Sequence, residues 1–192
     1  MTYILLIGDT HIPDRAYSIP HKLANIIDEG KPWDIAVFTG DFTGEEVFEW
    51  FTGLARKTYY VSGNMDYLPL PRKQVFEINN IPVGVHHGDG VYPRGDTRGL
   101  TRIANELRVK LLFTGHTHSL FIKHGLTKNL LLVNPGSLTG VWGGGGGSMK
   151  PSMIVLEVNN SKFIFNIYEL EGEKLNITTK KAVFENNIWR LT

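Results

Sequence analysis

The sequence predicts a layered α/β domain: two mixed β-sheets packed face to face with helices outside, a four-layer α-β-β-α sandwich. Three observations predict it. Short apolar runs rich in β-branched residues and bounded by turn residues recur along the chain, as buried strands do. In the first half, segments with apolar residues at helical spacing lie between those runs, which is the crossover pattern of parallel sheet. In the second half the runs are separated only by short turns, which predicts hairpins of a second, more antiparallel sheet. Two packed sheets with helices outside bury all of these apolar faces. With 192 residues and no linker interrupting the pattern, residues 1–192 read as one domain.

Residues 3–7 form the first strand and run into Gly8-Asp9-Thr10-His11. Residues 20–29 follow as a helix with Leu23, Ile26 and Ile27 on one face; Pro20 suits its first turn and Gly30 its end. The second strand, 35–38, leads to Gly40-Asp41, and residues 44–54 form the second helix. There Val47, Phe48 and Phe51 share a face, while Glu45 and Glu46 meet the positive end of the helix dipole. The third strand, 58–61, leads to Gly63-Asn64-Met65-Asp66. Residues 74–78 and 81–85 pair as a hairpin through Asn79-Asn80, and the second of these runs enters His86-His87-Gly88. The third helix, 97–109, carries Leu100, Ile103, Ala104 and Leu107 on one side, and strand 110–113 enters Gly115-His116-Thr117-His118. Runs at 120–123, 129–133, 153–158 and 163–168 complete the strands, and the tail beyond Glu171 shows only a weak strand signal at 182–184. The five glycines at 143–147 read as a mobile loop, because no strand-loop-helix context makes them a phosphate cradle.

Five of these strands end in clusters of Asp, His or Asn, and in α/β sheets ligands bind beyond the carboxyl ends of strands. The clusters therefore point to one metal-holding place. Cysteine is absent, so the ligands on offer are carboxylate, imidazole and amide, with no disulfide framework. Twenty basic and nineteen acidic residues leave a net charge of +1, which supplies no general field for nucleic acid or an anionic membrane. The apolar stretch 3–7 is too short for a signal-peptide core or a membrane span, so a soluble, cytoplasmic protein is expected.

In order, Asp9-Thr10-His11, Gly40-Asp41, Gly63-Asn64-Met65-Asp66, His87-Gly88 and Gly115-His116-Thr117-His118 resemble the motif series of the calcineurin-like metallophosphoesterase family, over residues 3–168. The pattern looks most like the small bacterial and archaeal phosphodiesterase subgroup, which is also similar to the retromer subunit sharing this scaffold. Asn134-Pro135-Gly136-Ser137, placed after a strand, agrees with that subgroup. The resemblance implies a dinuclear site with Asp9, His11 and His118 on one ion, Asn64, His87 and His116 on the other, and Asp41 bridging. It also implies Asp41, Asn64, Asp66 and His87 as the catalytic group. Oxygen and imidazole ligands suit two divalent ions, Mn²⁺ first, with Ni²⁺, Fe²⁺ or Zn²⁺ as alternatives. The implied chemistry is in-line attack on a phosphate ester by a hydroxide bridging the ions, its pKa lowered from near 16 to about 7.

Two departures from the family pattern matter. Met65 stands where many members carry His, and a thioether cannot protonate a departing oxygen. Poor leaving groups should suffer most, which favours phosphodiesters and activated phosphomonoesters. Near the Asn-Pro-Gly-Ser loop, where the subgroup usually has Arg, only Lys150 is available.

Taken singly, Asp9 and Asp41 also suit helix caps or turns, and Asn64 a turn. Adjacent strand residues face opposite sides, so only one of His86 and His87 reaches the site, and the motif selects His87. Asp14 and Arg15 read as a solvated loop. Two other functions stand beside the phosphoesterase. One is a non-catalytic protein-binding scaffold resembling the retromer subunit, favoured by Met65 and opposed by the filled ligand set. The other is a metal-dependent nuclease, for which Arg94, Arg98, Arg102 and Arg108 offer a basic edge that the net charge does not support. A phosphate-ester substrate is expected, nucleic acid is not favoured, no membrane is involved, and exposed strands in the second half allow a homodimer.

Overall fold

The computed structural model describes all 192 residues. In chain order the elements are β1 (Thr2–Ile7), α1 (His21–Glu29), β2 (Trp33–Phe38), α2 (Glu45–Thr52), β3 (Ala55–Tyr60), β4 (Lys73–Ile78) and β5 (Ile81–His86). There follow α3 (Thr97–Leu107), β6 (Leu111–Phe113), β7 (Leu120–His124), β8 (Leu131–Pro135), β9 (Ser152–Asn159), β10 (Lys162–Glu171), β11 (Lys174–Glu185) and β12 (Ile188–Leu191). Seven strands make one sheet in the order β12-β11-β10-β9-β1-β2-β3, and five make the other in the order β4-β5-β6-β8-β7. No helix is long and apolar enough to cross a membrane.

Strand alternation builds the four layers. Ile4 and Leu6 of β1 face the second sheet and pack with Val83, Val85, Leu111, Phe113, Leu131 and Val133. Their neighbours Leu5 and Ile7 face outward against Leu23 and Ile27 of α1 and Val47 and Phe51 of α2. On the far side, Leu112 and Leu132 meet Leu100 and Ala104 of α3. Each fully buried Leu or Ile contributes about 1.5–3 kcal/mol.

The hairpins expected from sequence form, but they do not build a sheet of their own. β7 and β8 extend the sheet begun by β4, β5 and β6, whereas β9–β12 join the free edge of β1, with Leu5 opposite Val155. Turn signals specify which neighbours pair, not which sheet a hairpin joins. β9 is apolar on both faces, Ile154 and Leu156 inward and Met153 and Val155 outward, so it must lie at the centre of a covered sheet. The long β11 leaves little strand signal in the sequence because residues 177–181 are exposed and polar-rich. It turns into β12 through Asn186-Asn187, both with positive φ of 51° and 62°, the same device as Asn79-Asn80.

Parallel pairing sets the site. Ile7 lies opposite Phe38, and Val85 opposite Phe113, which lies opposite Val133. The polar clusters that follow these residues therefore emerge at common strand ends.

Candidate metal centre

The loops that leave these strands are tightly folded. Asp9, His11, Asp41, His116 and His118 all have left-handed backbone, with φ of 49°, 47°, 62°, 69° and 52°. Each such residue costs about 1–3 kcal/mol, and five converging on one place is the pattern of a site whose surroundings hold it in shape. The Asp9 amide donates to Gly40 O at 2.9 Å and the Gly115 amide to His87 O at 2.8 Å. Glycines permit the approach: a Cβ on Gly63 would lie 2.0 Å from Asp41 Oδ1, and one on Gly115 2.7 Å from Asp9 Oδ2.

Two groups of side chains meet at Asp41. In the first, His11 Nε2 lies 3.1 Å from His118 Nε2 and 3.3 Å from Asp41 Oδ2, while His118 Nε2 lies 3.3 Å from Asp9 Oδ1. The donor atoms of these four buried residues all lie within 4.8 Å of one another. In the second, His87 Nε2 lies 3.3 Å from the same Asp41 Oδ2 and 3.2 Å from Asn64 Oδ1, with the His116 ring edge-on at a centroid distance of 5.1 Å. Asn64 is exposed and His116 half-buried, so this side opens to solvent.

The donor set fits divalent cations. Two ligand atoms about 2.1 Å from one ion, at roughly 90–110° to each other, are about 3.0–3.4 Å apart, and the first group is spaced accordingly. The imidazoles are also aimed. His87 Nδ1 donates to Thr39 O at 2.8 Å and His118 Nδ1 to Val141 O at 2.7 Å, which turns each Nε2 toward the site, where the neutral ring presents its lone pair.

Charge couples the groups. Burial would raise the Asp41 value, yet hydrogen bonds to His11 and His87 outweigh it and hold the carboxyl well below the usual range. Burial likewise opposes protonation of His87, but Asp41 and Asp9 raise it to about 9. His116 is pushed down to about 4 by burial, His87 and Arg94, and so is neutral at pH 7.

Asp66, expected in the catalytic group, has its carboxylate committed to backbone. Oδ2 accepts from the amides of Asp41 at 2.9 Å and Gly63 at 2.8 Å, and Oδ1 from Thr43 at 2.8 Å. It shapes the loop that carries Asp41. The Met65 amide donates to Asp41 Oδ1 at 2.8 Å, so Met65 fixes the shared carboxylate through its backbone. His86 turns away and accepts from the Gly88 amide, leaving His87 in the site.

A cleft of about 250 Å³ opens over the centre, and its lining includes Arg15, Met65, Arg94 and Trp142. Arg15 Nη1 donates to Trp142 O at 2.9 Å and Arg94 to Gly143 O. These arginines are the cations of the cleft. Lys150 is not among its lining residues and pairs with Glu171 at 3.0 Å. In sequence Arg15 reads as solvated loop and Arg94 as part of a helix edge, because local sequence carries no sign of the fold-back of 142–144. The Asn-Pro-Gly-Ser loop also serves the centre. Asn134 Nδ2 donates to Gly115 O at 2.8 Å, and Ser137 Oγ to Asp9 O at 2.7 Å. The motif itself is the signal for these two.

The calcineurin-like phosphoesterase superfamily domain matches residues 2–161. The chain is 46% identical over 134 residues to a "Probable metallophosphoesterase" of Methanocaldococcus jannaschii, covering 70% of this chain and 67% of that one. It is 37% identical over 160 residues to another of that name from Methanothermobacter thermautotrophicus, covering 82% and 86%. Among solved structures it is similar to wild-type Vps29 of Entamoeba histolytica complexed with Zn²⁺, at 31% identity and a TM-score of 0.82, over 93% of this chain and 98% of that one.

Proposed function

Since the chain belongs to the calcineurin-like phosphoesterase superfamily, we propose that it is a metal-dependent phosphoesterase that hydrolyses phosphodiesters or activated phosphomonoesters at a dinuclear centre. The observation that carries this reading is Asp41, whose single Oδ2 lies 3.3 Å from both His11 Nε2 and His87 Nε2 and so faces two ligand groups at once. Asp9, His11 and His118 would hold one ion, Asn64, His87 and His116 the other, with Asp41 shared. Mn²⁺ is the first choice, with Ni²⁺, Fe²⁺ and Zn²⁺ accepted by the same donors. When bound, such ions supply Lewis acidity and acidify a water to near neutrality.

The chain's own side chains do the rest. Arg15 and Arg94 offer guanidinium N–H groups to phosphoryl oxygens in the cleft. His116, neutral at pH 7, presents an imidazole lone pair rather than a repelling charge. Met65 lines the cleft but delivers no proton to a leaving group, which favours esters whose alcohols depart easily.

The test is hydrolysis of bis(p-nitrophenyl) phosphate with Mn²⁺, beside Asp41→Asn. Metal-dependent turnover that falls about a hundredfold or more in the variant supports the proposal. A folded protein inert with Mn²⁺, Ni²⁺ and Zn²⁺ would favour the second reading, a protein-binding scaffold, to which the likeness to Vps29 and the Met65 position lend support.

A further inference from the structure

Beside the metal cleft, and sharing Arg94 and Gly144 with it, lies a larger one of about 480 Å³. Thr117, set between two of the candidate metal ligands, lies in its wall, so the two spaces adjoin along one motif loop. The charged side chains of its lining are Arg94 and Lys123, and no carboxylate lines it. Lys123 makes no ion pair: its Nζ donates to Gly95 O at 2.9 Å and sits 4.5 Å from the Phe121 ring centre. An ammonium carries three N–H groups, so two are left over. The acid nearest in effect, Asp96, is taken up as the cap of α3, accepting from Gly99 N at 2.8 Å. In the same lining Gly144, Gly145 and Gly146 run with φ of 99°, 127° and 74°, and their amides donate no hydrogen bond within the chain. The result is a concave space rich in donors, with a half-buried cation that makes no direct ion pair.

We propose that this cleft is a second anion-binding subsite that seats a phosphate carried on one ester arm of the substrate, so that the preferred substrates are phosphodiesters bearing a further phosphate. The inference rests on the phosphoesterase reading and names its substrate class. The scissile group lies over the metal centre, Arg94 stands between the two clefts, and Lys123 with the glycine amides receives the distal phosphate. Charge-assisted hydrogen bonds from an ammonium and a guanidinium suit that ligand.

Two p-nitrophenyl esters that differ only in the distal group test it: thymidine 5′-(p-nitrophenyl phosphate), and the same ester with a 3′-phosphate. With Mn²⁺, the wild-type kcat/KM should favour the 3′-phosphorylated ester by about tenfold, the worth of one hydrogen bond to a charged group. Lys123→Met should bring the ratio of the two esters close to one, and Lys123→Arg should restore it. A wild-type ratio near one, or a ratio that Lys123→Met leaves unchanged, overturns the subsite while leaving the phosphoesterase standing. Calorimetric titration of the metal-free protein with thymidine 3′,5′-bisphosphate gives a reading independent of turnover. If neither ester is hydrolysed with Mn²⁺, Ni²⁺ or Zn²⁺, the phosphoesterase reading fails and the substrate class with it; equal affinity of wild type and Lys123→Met then overturns the anion site too, whereas weaker binding by the variant upholds the anion site alone.

Discussion

Asp66→Asn separates a positioning role from a catalytic one. The carboxylate accepts three backbone amides, from Asp41 and Gly63 on one oxygen and Thr43 on the other, at 2.8–2.9 Å. Asparagine retains one acceptor oxygen. If that oxygen keeps Asp41 and Gly63, the new NH₂ faces the Thr43 amide, so one charge-assisted bond is lost and two are weakened. At about 1.5–3 kcal/mol for a hydrogen bond to a charged group, the total comes to about 2–4 kcal/mol. For a domain of this size that lowers Tm by about 4–12 °C, read by thermal denaturation of metal-free protein. The Asp41 backbone, left-handed at φ 62°, would then be held less firmly. Metal affinity should fall, while kcat at saturating Mn²⁺ stays within a few-fold of wild type. An unchanged Tm together with a kcat reduced about a hundredfold at saturating metal would refute this reasoning and make Asp66 a catalytic group.

Three further outcomes follow from the same geometry. Gly63→Ala would put a Cβ 2.0 Å from Asp41 Oδ1, so Mn²⁺ affinity by equilibrium dialysis should drop about tenfold or more in a folded protein; unchanged affinity would show that the loop yields freely. Met65→His should raise turnover of alkyl phosphomonoesters by about tenfold or more relative to aryl diesters, since it adds a proton donor beside Asp41 and Asn64; an unchanged ratio would show that the position does not face the leaving group. In metal-free protein His87 is held at about 9, above its unfolded value of about 6.5. Its stabilising contribution is therefore complete below pH 6.5 and is lost as pH rises through 9. Ligation needs neutral imidazole, so apparent Mn²⁺ affinity should climb between pH 7 and 9 and then level off; titration calorimetry that finds it flat across that window would count against His87 as a ligand.

Much of this protein is legible from sequence because its signals are local. Short continuous apolar runs reveal β1, β2, β5, β6 and β8, amphipathic spacing reveals the three helices, and turn residues pair β4 with β5, β7 with β8 and β9 with β10. The polar clusters at strand ends mark where ligand-type side chains gather, and the resemblance to the family motif series picks out Asp9, His11, Asp41, Asn64, His87, His116 and His118 among them. The remainder depends on contacts between residues far apart in sequence. Whether β9 joins β1 or a separate sheet is decided by which apolar faces remain to be covered. Asp66 faces backbone because three amides of two loops converge on it, and Arg15 and Arg94 are held at the cleft by the carbonyls of Trp142 and Gly143. Residue type and period are properties of the chain, and they determined the elements and the candidate motif residues. The direction in which a side chain spends its hydrogen bonds belongs to the packed whole, and only the tertiary structure decided it.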